Sequence, residues 1–315
     1  MENLNAESRR TVLNSSTFFS ADSWLFYGPG RTAMHTSTII PGQLIDIEEK
    51  NRYSCFKGQS SEILSDARVA IGATINGIPT VCEGSDKKCY EYKERKWSVA
   101  SFQLSSTSPR LSDAKTPDGF EWWIIGGSPD TIDVLFDGKL TPREIRIPVE
   151  STTAQSRAPF FLTLNRTHFV YIVFASKSLF FLNKVTGAWT ERKDFESRPF
   201  QDFSGIVTKR NGEKEIVSFG MTSETPFIYS VLNRSFRDAE GLFPSGKVSC
   251  PSFDRNCGVQ YKNTFLMLGE YSQMKAAKIF MMNVENETFE EVGPAIHTPS
   301  PYGVTMLVPS QAYIC

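Results

Sequence analysis

The sequence predicts an all-β fold, a ring of six four-stranded antiparallel sheets, and two recurring landmarks carry that expectation. The first is a short apolar strand ending in glycine or a small-residue pair: Trp24–Gly30 (WLFYGPG), Pro79–Gly84 (PTVCEG), Trp122–Gly127 (WWIIGG), Phe169–Ser176 (FVYIVFAS), Glu215–Gly220 (EIVSFG) and Thr264–Glu270 (TFLMLGE). Its closing positions, 30, 84, 127, 176, 220 and 270, step by 54, 43, 49, 44 and 50 residues, the length of one four-stranded unit in a radial array. The second landmark is a bulky apolar residue further on. Trp97, Leu140 and Trp189 each lie thirteen residues past the first landmark, and Phe236 and Phe289 take the same role at longer spacing.

Within a unit, short strands alternate with turn chemistry. In the second unit they are Val69–Ile75, Ile78–Cys82, Cys89–Tyr92 and Trp97–Phe102, with Asn76-Gly77 between the first two. Asn-Gly accepts positive φ at both central positions of a hairpin turn. Lys209–Gly212 (KRNG) and Tyr261–Asn263 occupy the same place in the fifth and sixth units. No capped stretch of helical period is present, so strand and helix do not alternate and an α/β enzyme fold is not expected.

Composition agrees with a large β core. Hydrophobic residues make up 40%, with 24 Phe and 10 Tyr, types that suit a pleated, half-buried surface. Lys and Arg number 34 against 35 Asp and Glu, so no net field favours nucleic acid or an anionic membrane. No apolar run approaches the roughly 20 residues of a spanning helix, and Met1–Arg10 lacks the apolar stretch of a secretory signal. Residues 1–22 are expected to be a flexible segment and 23–315 a single domain, monomeric, without membrane insertion.

The runs Trp122–Gly127 (WWIIGG), Phe181–Trp189 (FLNKVTGAW) and Val81–Trp97 (VCEGSDKKCYEYKERKW) resemble the kelch repeat, whose blade carries a double glycine, an aromatic, a turn and a tryptophan. The likeness extends by spacing from about Ser23 to Val308 and is clearest in the middle three units. The double glycine is complete at Gly126-Gly127 and becomes Glu83-Gly84, Ala175-Ser176 and Gly269-Glu270 elsewhere. The resemblance implies a six-bladed β-propeller used as an interaction scaffold. Tyr302–Val308 (YGVTMLV) reads as a first, innermost strand, and Trp24–Phe56 as the later strands of the same blade, so the two chain ends are expected to share one blade and close the ring.

Cys82 and Cys89 straddle the loop after a glycine landmark, where adjacent antiparallel strands bring Cα atoms within bridging distance. Extracellular kelch-like proteins carry such a pair. Cys250 and Cys257 repeat the separation, and Cys55 and Cys315 remain as a clamp between the chain ends. Two readings stay open: three disulfides in an extracellular protein whose leader lies outside this chain, or six reduced thiols in a cytoplasmic one. Asn14, Asn165, Asn233 and Asn286 open Asn-x-Ser/Thr acceptor sequences for glycosylation. At Asn233 and Asn286 turn chemistry is the preferred explanation, since asparagine tolerates the left-handed conformation.

No metal, cofactor or catalytic group is assigned. His35, His168 and His297 fall in different units without a second ligand at metal spacing, and the paired His and Tyr ligands of a kelch-type copper oxidase find no match. A sialidase-like hydrolase would draw acid and base from Glu270 and Tyr271 or from Asp130 and Asp133, with Arg31, Arg68, Arg110 and Arg255 on a substrate carboxylate. Solvated loop residues explain these better. Trp122 and Trp123 face opposite sides of one strand, one as core and one against a neighbouring blade, with a carbohydrate platform as the alternative.

The expected function is non-enzymatic capture of a protein partner, or alternatively a glycan, by loops on one face. These loops follow the glycine landmarks: Gly30–His35, Ser85–Lys88, Ser128–Asp130, Met221–Glu224 and Tyr271–Lys275. Within them Arg31, His35, Asp86, Ser128, Asp130, Glu224, Tyr271 and Gln273 are the candidate contacts.

Overall fold

The computed structural model describes residues 24–27, 30–31, 39–40, 43–46, 52–54, 70–94, 96–108, 110–126, 128–148, 159–173, 178–193, 203–219, 225–239, 242, 258–270, 276–297 and 305–308. It is an all-β propeller of four-stranded antiparallel blades. The first meander is β6 (Ala70–Ile75), β7 (Ile78–Glu83), β8 (Lys88–Lys93) and β9 (Lys96–Gln103). The second is β10 (Ser112–Lys115), β11 (Glu121–Ile125), β12 (Thr131–Phe136) and β13 (Lys139–Glu144). The third is β14 (Phe160–Thr163), β15 (His168–Ile172), β16 (Leu179–Asn183) and β17 (Trp189–Arg192). The fourth and fifth are β18 (Phe203–Thr208), β19 (Lys214–Phe219), β20 (Phe227–Ser230) and β21 (Ser235–Asp238), then β22 (Gly258–Tyr261), β23 (Thr264–Glu270), β24 (Ala276–Asn283) and β25 (Thr288–His297).

The structure shows five such blades, not six; the sixth was expected to be shared between the two chain ends. The remaining described strands are divided between the chain ends, so among the described residues no continuous stretch builds a further meander. They form a composite sheet in the order β26 (Thr305–Val308), β1 (Trp24–Tyr27), β4 (Gln43–Asp46) and β5 (Arg52–Ser54). Within it β26 is antiparallel to β1, with Leu307 opposite Leu25. The backbone of β26 also neighbours both β22 and β6. A separate ribbon pairs β2 (Gly30–Arg31) with β3 (Ile39–Ile40).

Two-residue turns set the meanders. Asn76 and Gly77 take φ of 51° and 75°, and Asp137 and Gly138 take 49° and 71°, the left-handed pair that matches strand twist. Alternation then sends successive side chains into different seams. Trp122 packs with Ile71, Ile75 and Leu104, while Trp123 packs with Phe161, Phe169 and Leu182. Both indoles are buried, so the carbohydrate-platform reading of this pair is set aside. Further clusters join the third blade to the fourth through Val170, Phe181, Ile216 and Tyr229, and the fourth to the fifth through Val217, Phe219, Phe265 and Phe280. The described core is thus a set of wedges between blades, each covering the apolar flank of the next.

The second sequence landmark anchors the outermost strands. Trp97 lies opposite Tyr92, Leu140 opposite Leu135, Trp189 opposite Leu182, Phe236 opposite Tyr229 and Phe289 opposite Met282. Ring centroids are 5.3 Å apart for Tyr92 and Trp97 and 5.0 Å for Tyr229 and Phe236, within the range of favourable aromatic pairs.

Side chains also bind main chain across the seams. Phe161 N donates to Ser112 Oγ at 3.0 Å, and Thr163 Oγ1 donates to the Lys115 carbonyl at 2.6 Å. Between the fourth and fifth blades, Ile206 N donates to Gln260 Oε1 at 3.1 Å and Thr208 N to Asn263 Oδ1 at 2.9 Å. Gln260 Nε2 and Asn263 Nδ2 return bonds to the carbonyls of Ile206 and Thr208. Each amide therefore acts as a short substitute for a ladder partner where two innermost strands diverge.

Candidate functional site

The turn after the second glycine landmark, Gly84–Lys88, is the best-defined of the candidate loops. Its base is closed by the Cys82–Cys89 disulfide, which joins residues directly opposite each other on β7 and β8 with Cα atoms 4.0 Å apart. Lys87 takes a positive φ of 66° at the bend. Asp86 Oδ1 accepts from Lys88 N at 3.0 Å, and its other oxygen lies 3.0 Å from Lys88 Nζ. Burial pushes the Asp86 carboxyl up, but these bonds and the ammonium charge outweigh it and hold the group below its ordinary value. Below the turn, Tyr90 is pushed up to about 12, first by burial and then by the charges of Glu83 and Asp86.

The connection between β9 and β10 supports this turn from the next blade. Leu104 N donates to Lys87 O at 2.9 Å, Ser108 N to Gly84 O at 2.8 Å, and Lys87 Nζ to Ser105 O at 3.3 Å. That connection is itself held by the second blade. Asp133, buried on β12, accepts from Ser105 N at 3.0 Å. Gly126, at φ 135°, lies so close that an added Cβ would sit 1.9 Å from Arg110 O. The glycine of the landmark is therefore required by a close approach of backbone to backbone.

Ser128 and Asp130 follow directly. Asp130 N donates to Ser128 Oγ at 3.2 Å, and Ile147 N donates to Pro129 O at 2.7 Å. Asp130 is exposed, 3.8 Å from Arg146 Nε. The structure thus links Asp86, Ser128 and Asp130 through one shared support on the same end of two adjacent blades. Arg31 sits in the short β2–β3 ribbon rather than in an open loop. His35, Glu224, Tyr271 and Gln273, together with Cys55, Cys250, Cys257 and Cys315, lie outside the described residues.

The constellation for a hydrolase is not assembled by Asp130 and Asp133. Asp130 faces solvent, while Asp133 is turned into the seam and engaged with Ser105 N. Arg68, Arg255 and Tyr271 are outside the described residues. His168 Nδ1 is 2.9 Å from Thr167 Oγ1 in the β14–β15 turn, and no cluster of three metal-ligating side chains occurs among the described residues. The described residues also contain no helix long and apolar enough to cross a membrane.

Asn165, Asn233 and Asn286 are all exposed in turns. Asn165 Oδ1 accepts from Thr167 N and His168 N, both at 2.9 Å. At the other two turns the left-handed residue is the one after the asparagine, Arg234 at φ 54° and Glu287 at φ 51°. The asparagine itself was expected there. The turn needs one left-handed position to reverse the strand, and the residue entering the outer strand supplies it.

A second feature, at the opposite end of the blades, escaped the sequence. A cleft of about 350 Å³ between the fourth and fifth blades is lined by Lys209, Arg210, Glu215, Arg237, Asn263 and Glu285. Lys209 Nζ is 2.7 Å from the buried Glu215, and Arg210 Nε is 2.6 Å from Glu285. Lys209 is held above its ordinary value by its bond to Glu215. The run Lys209–Gly212 reads in sequence as a turn, and its ionic partners are Glu213 beside it, Glu215 on β19 and Glu285 in the β24–β25 turn.

No protein-family model and no curated protein matches the chain. Solved structures do resemble it in fold. A chain from the crystal structure of a nidogen/laminin complex superposes with a TM-score of 0.55 at 8% identity, covering 91% of this chain and 99% of that one. TolB from Acinetobacter baumannii superposes with a TM-score of 0.50 at 11% identity over 91% of this chain and 67% of that one. A protein assigned as TolB from Agrobacterium tumefaciens gives 0.51 at 10% identity, covering 85% and 97%.

Proposed function

We propose that the chain is a non-enzymatic interaction module that captures a protein partner through the loops at one end of its blades. The observation that carries this reading is the shared support beneath Asp86, Ser128 and Asp130: the Gly84–Lys88 turn is closed by a disulfide at its base and bonded to the β9–β10 connection, which Gly126 and Asp133 hold from the next blade. A binding surface ordered before contact loses less conformational entropy on association. The fold also occurs in a nidogen/laminin complex, an assembly of two proteins.

The composite sheet completes this reading of the architecture. As a sixth blade, with β26 innermost and its backbone beside both β22 and β6, it joins the first blade to the fifth. A kelch-like ring in which the chain ends share one blade accounts for that pairing, and it leaves no open seam. The Cys82–Cys89 bond favours an oxidising compartment.

Capture from an extract of the source, with partners identified by mass spectrometry, tests the function. A partner retained by the native chain and lost with Asp130→Lys or Asp86→Asn is the expected outcome. A partner retained equally by both variants contradicts the assigned face, and turnover of a fluorogenic sialoside contradicts the non-enzymatic reading.

A further inference from the structure

The five outermost strands of the contiguous blades differ in a way the fold does not require. β13 carries Pro142 and Arg143, β17 carries Glu191 and Arg192, β21 carries Arg237 and Asp238, and β25 carries Glu290, Glu291 and Pro294. Charges and prolines at these edges discourage pairing with a foreign strand. β9 begins with Lys96 and then runs through seven residues, Trp97–Gln103 (WSVASFQ), with neither a charge nor a proline.

The ladder of β9 is also irregular on its inner side. Val99 lies opposite Tyr90 and Gln103 opposite Lys88, so Ala100, Ser101 and Phe102 bulge against the single residue Cys89 of β8. Among the described residues no strand pairs with its other edge. Beside this segment runs a groove of about 570 Å³ lined by Val99, Phe102 and Leu140, whose charged lining residues, Lys88 and Lys139, are both cationic. Val99 is 65% exposed.

We propose that β9 is a docking edge for an extended acidic segment of a partner protein, which joins the first blade as a fifth strand. Main-chain bonds to an edge without charge or proline supply affinity, and alternate side chains of the added strand supply selectivity. An apolar side chain of that strand covers Val99, and a carboxylate at an alternate position meets Lys139. The strand spans eight residues, roughly 26 Å at about 3.3 Å per residue, so a short linear motif fills it. This surface lies on the flank of the propeller and meets the loop face, to which the capture function is assigned, at Lys88, whose ammonium also pairs with Asp86.

Panning a random dodecapeptide display library on the full chain, followed by fluorescence anisotropy with the synthesised hits, tests the proposal. The expected hits are acidic and free of proline in their central residues. Val99→Asp weakens them about tenfold, the worth of burying one valine plus the added repulsion, and Lys139→Glu weakens them several-fold. Asp130→Lys leaves them unchanged, which separates this edge from the loop face. On binding, hydrogen exchange slows at Ala100–Phe102, and N-methylation of alternate peptide residues abolishes affinity. No such hits, hits indifferent to both β9-groove variants, or protection confined to other segments overturns the proposal.

Discussion

An added Cβ on Gly126 would lie 1.9 Å from the backbone oxygen of Arg110, so the landmark glycine and the β9–β10 connection are in contact at a distance no side chain allows. Gly126→Ala is expected to destabilise the fold by about 2–4 kcal/mol, since both the backbone conformation and the clash oppose it. Gly138→Ala, at φ 71° with open space around it, costs only about 1–2 kcal/mol. Urea unfolding midpoints of the two variants make the comparison, and equal losses contradict the close-approach account.

Gln260 and Asn263 each exchange two bonds with the backbone of β18. Replacing either by alanine leaves an amide and a carbonyl of the seam without a partner, a loss of about 1–3 kcal/mol each. The double variant is expected to lose more than the sum if the two innermost strands separate once both are gone. Equilibrium denaturation of the two single variants and the double variant measures this coupling.

The Cys82–Cys89 bond closes a separation of seven residues, for which chain entropy gives roughly 2–3 kcal/mol. Cys82→Ser with Cys89→Ser is expected to lower the unfolding free energy, measured by urea denaturation, by that amount. Capture of the partner should weaken with it, because the turn that carries Asp86 is no longer closed at its base.

Asp113 on β10 accepts from Trp122 Nε1 at 2.6 Å, and its carboxyl is pushed up to about 6, chiefly by burial and against that bond. A carboxyl whose folded pKa is raised favours the folded state where it is protonated. Its contribution is complete below the ordinary value of 3.8 and is lost as pH rises through about 6. Asp86 and Asp118 are held below their ordinary value, so their losses begin at lower pH. Stability is therefore expected to rise as pH falls from 7 towards 4.5, and Asp113→Asn should remove that rise.

Much of the blade pattern is legible in the sequence for local reasons. Val69–Ile75 and Ile78–Cys82 match β6 and β7 to within one residue at each end, because alternation and the Asn76-Gly77 turn are encoded within a dozen residues. Leu140 and Trp189 likewise announce the outer strands they pin. The groups that bind blade to blade are not legible. Gln260 meets Ile206 across more than fifty positions, and Arg210 meets Glu285, as Arg237 meets Glu287, through tertiary placement alone. The bulge in the β8–β9 ladder has no Gly or Pro to mark it. The candidate site was half visible: Asp86, Ser128 and Asp130 follow glycine landmarks, whereas their common support at Leu104–Arg110 comes from a segment that reads only as a connection.

Capture at this face requires that support to hold the Gly84–Lys88 turn in place before any partner arrives. Residue-resolved hydrogen exchange of the free protein measures it at the amides of Leu104 and Ser108, which donate to Lys87 O and Gly84 O. Protection comparable to that of amides within β7 and β8 is the predicted result. Exchange at the rate of an unstructured loop would contradict it, because the turn and the neighbouring blade would then move independently.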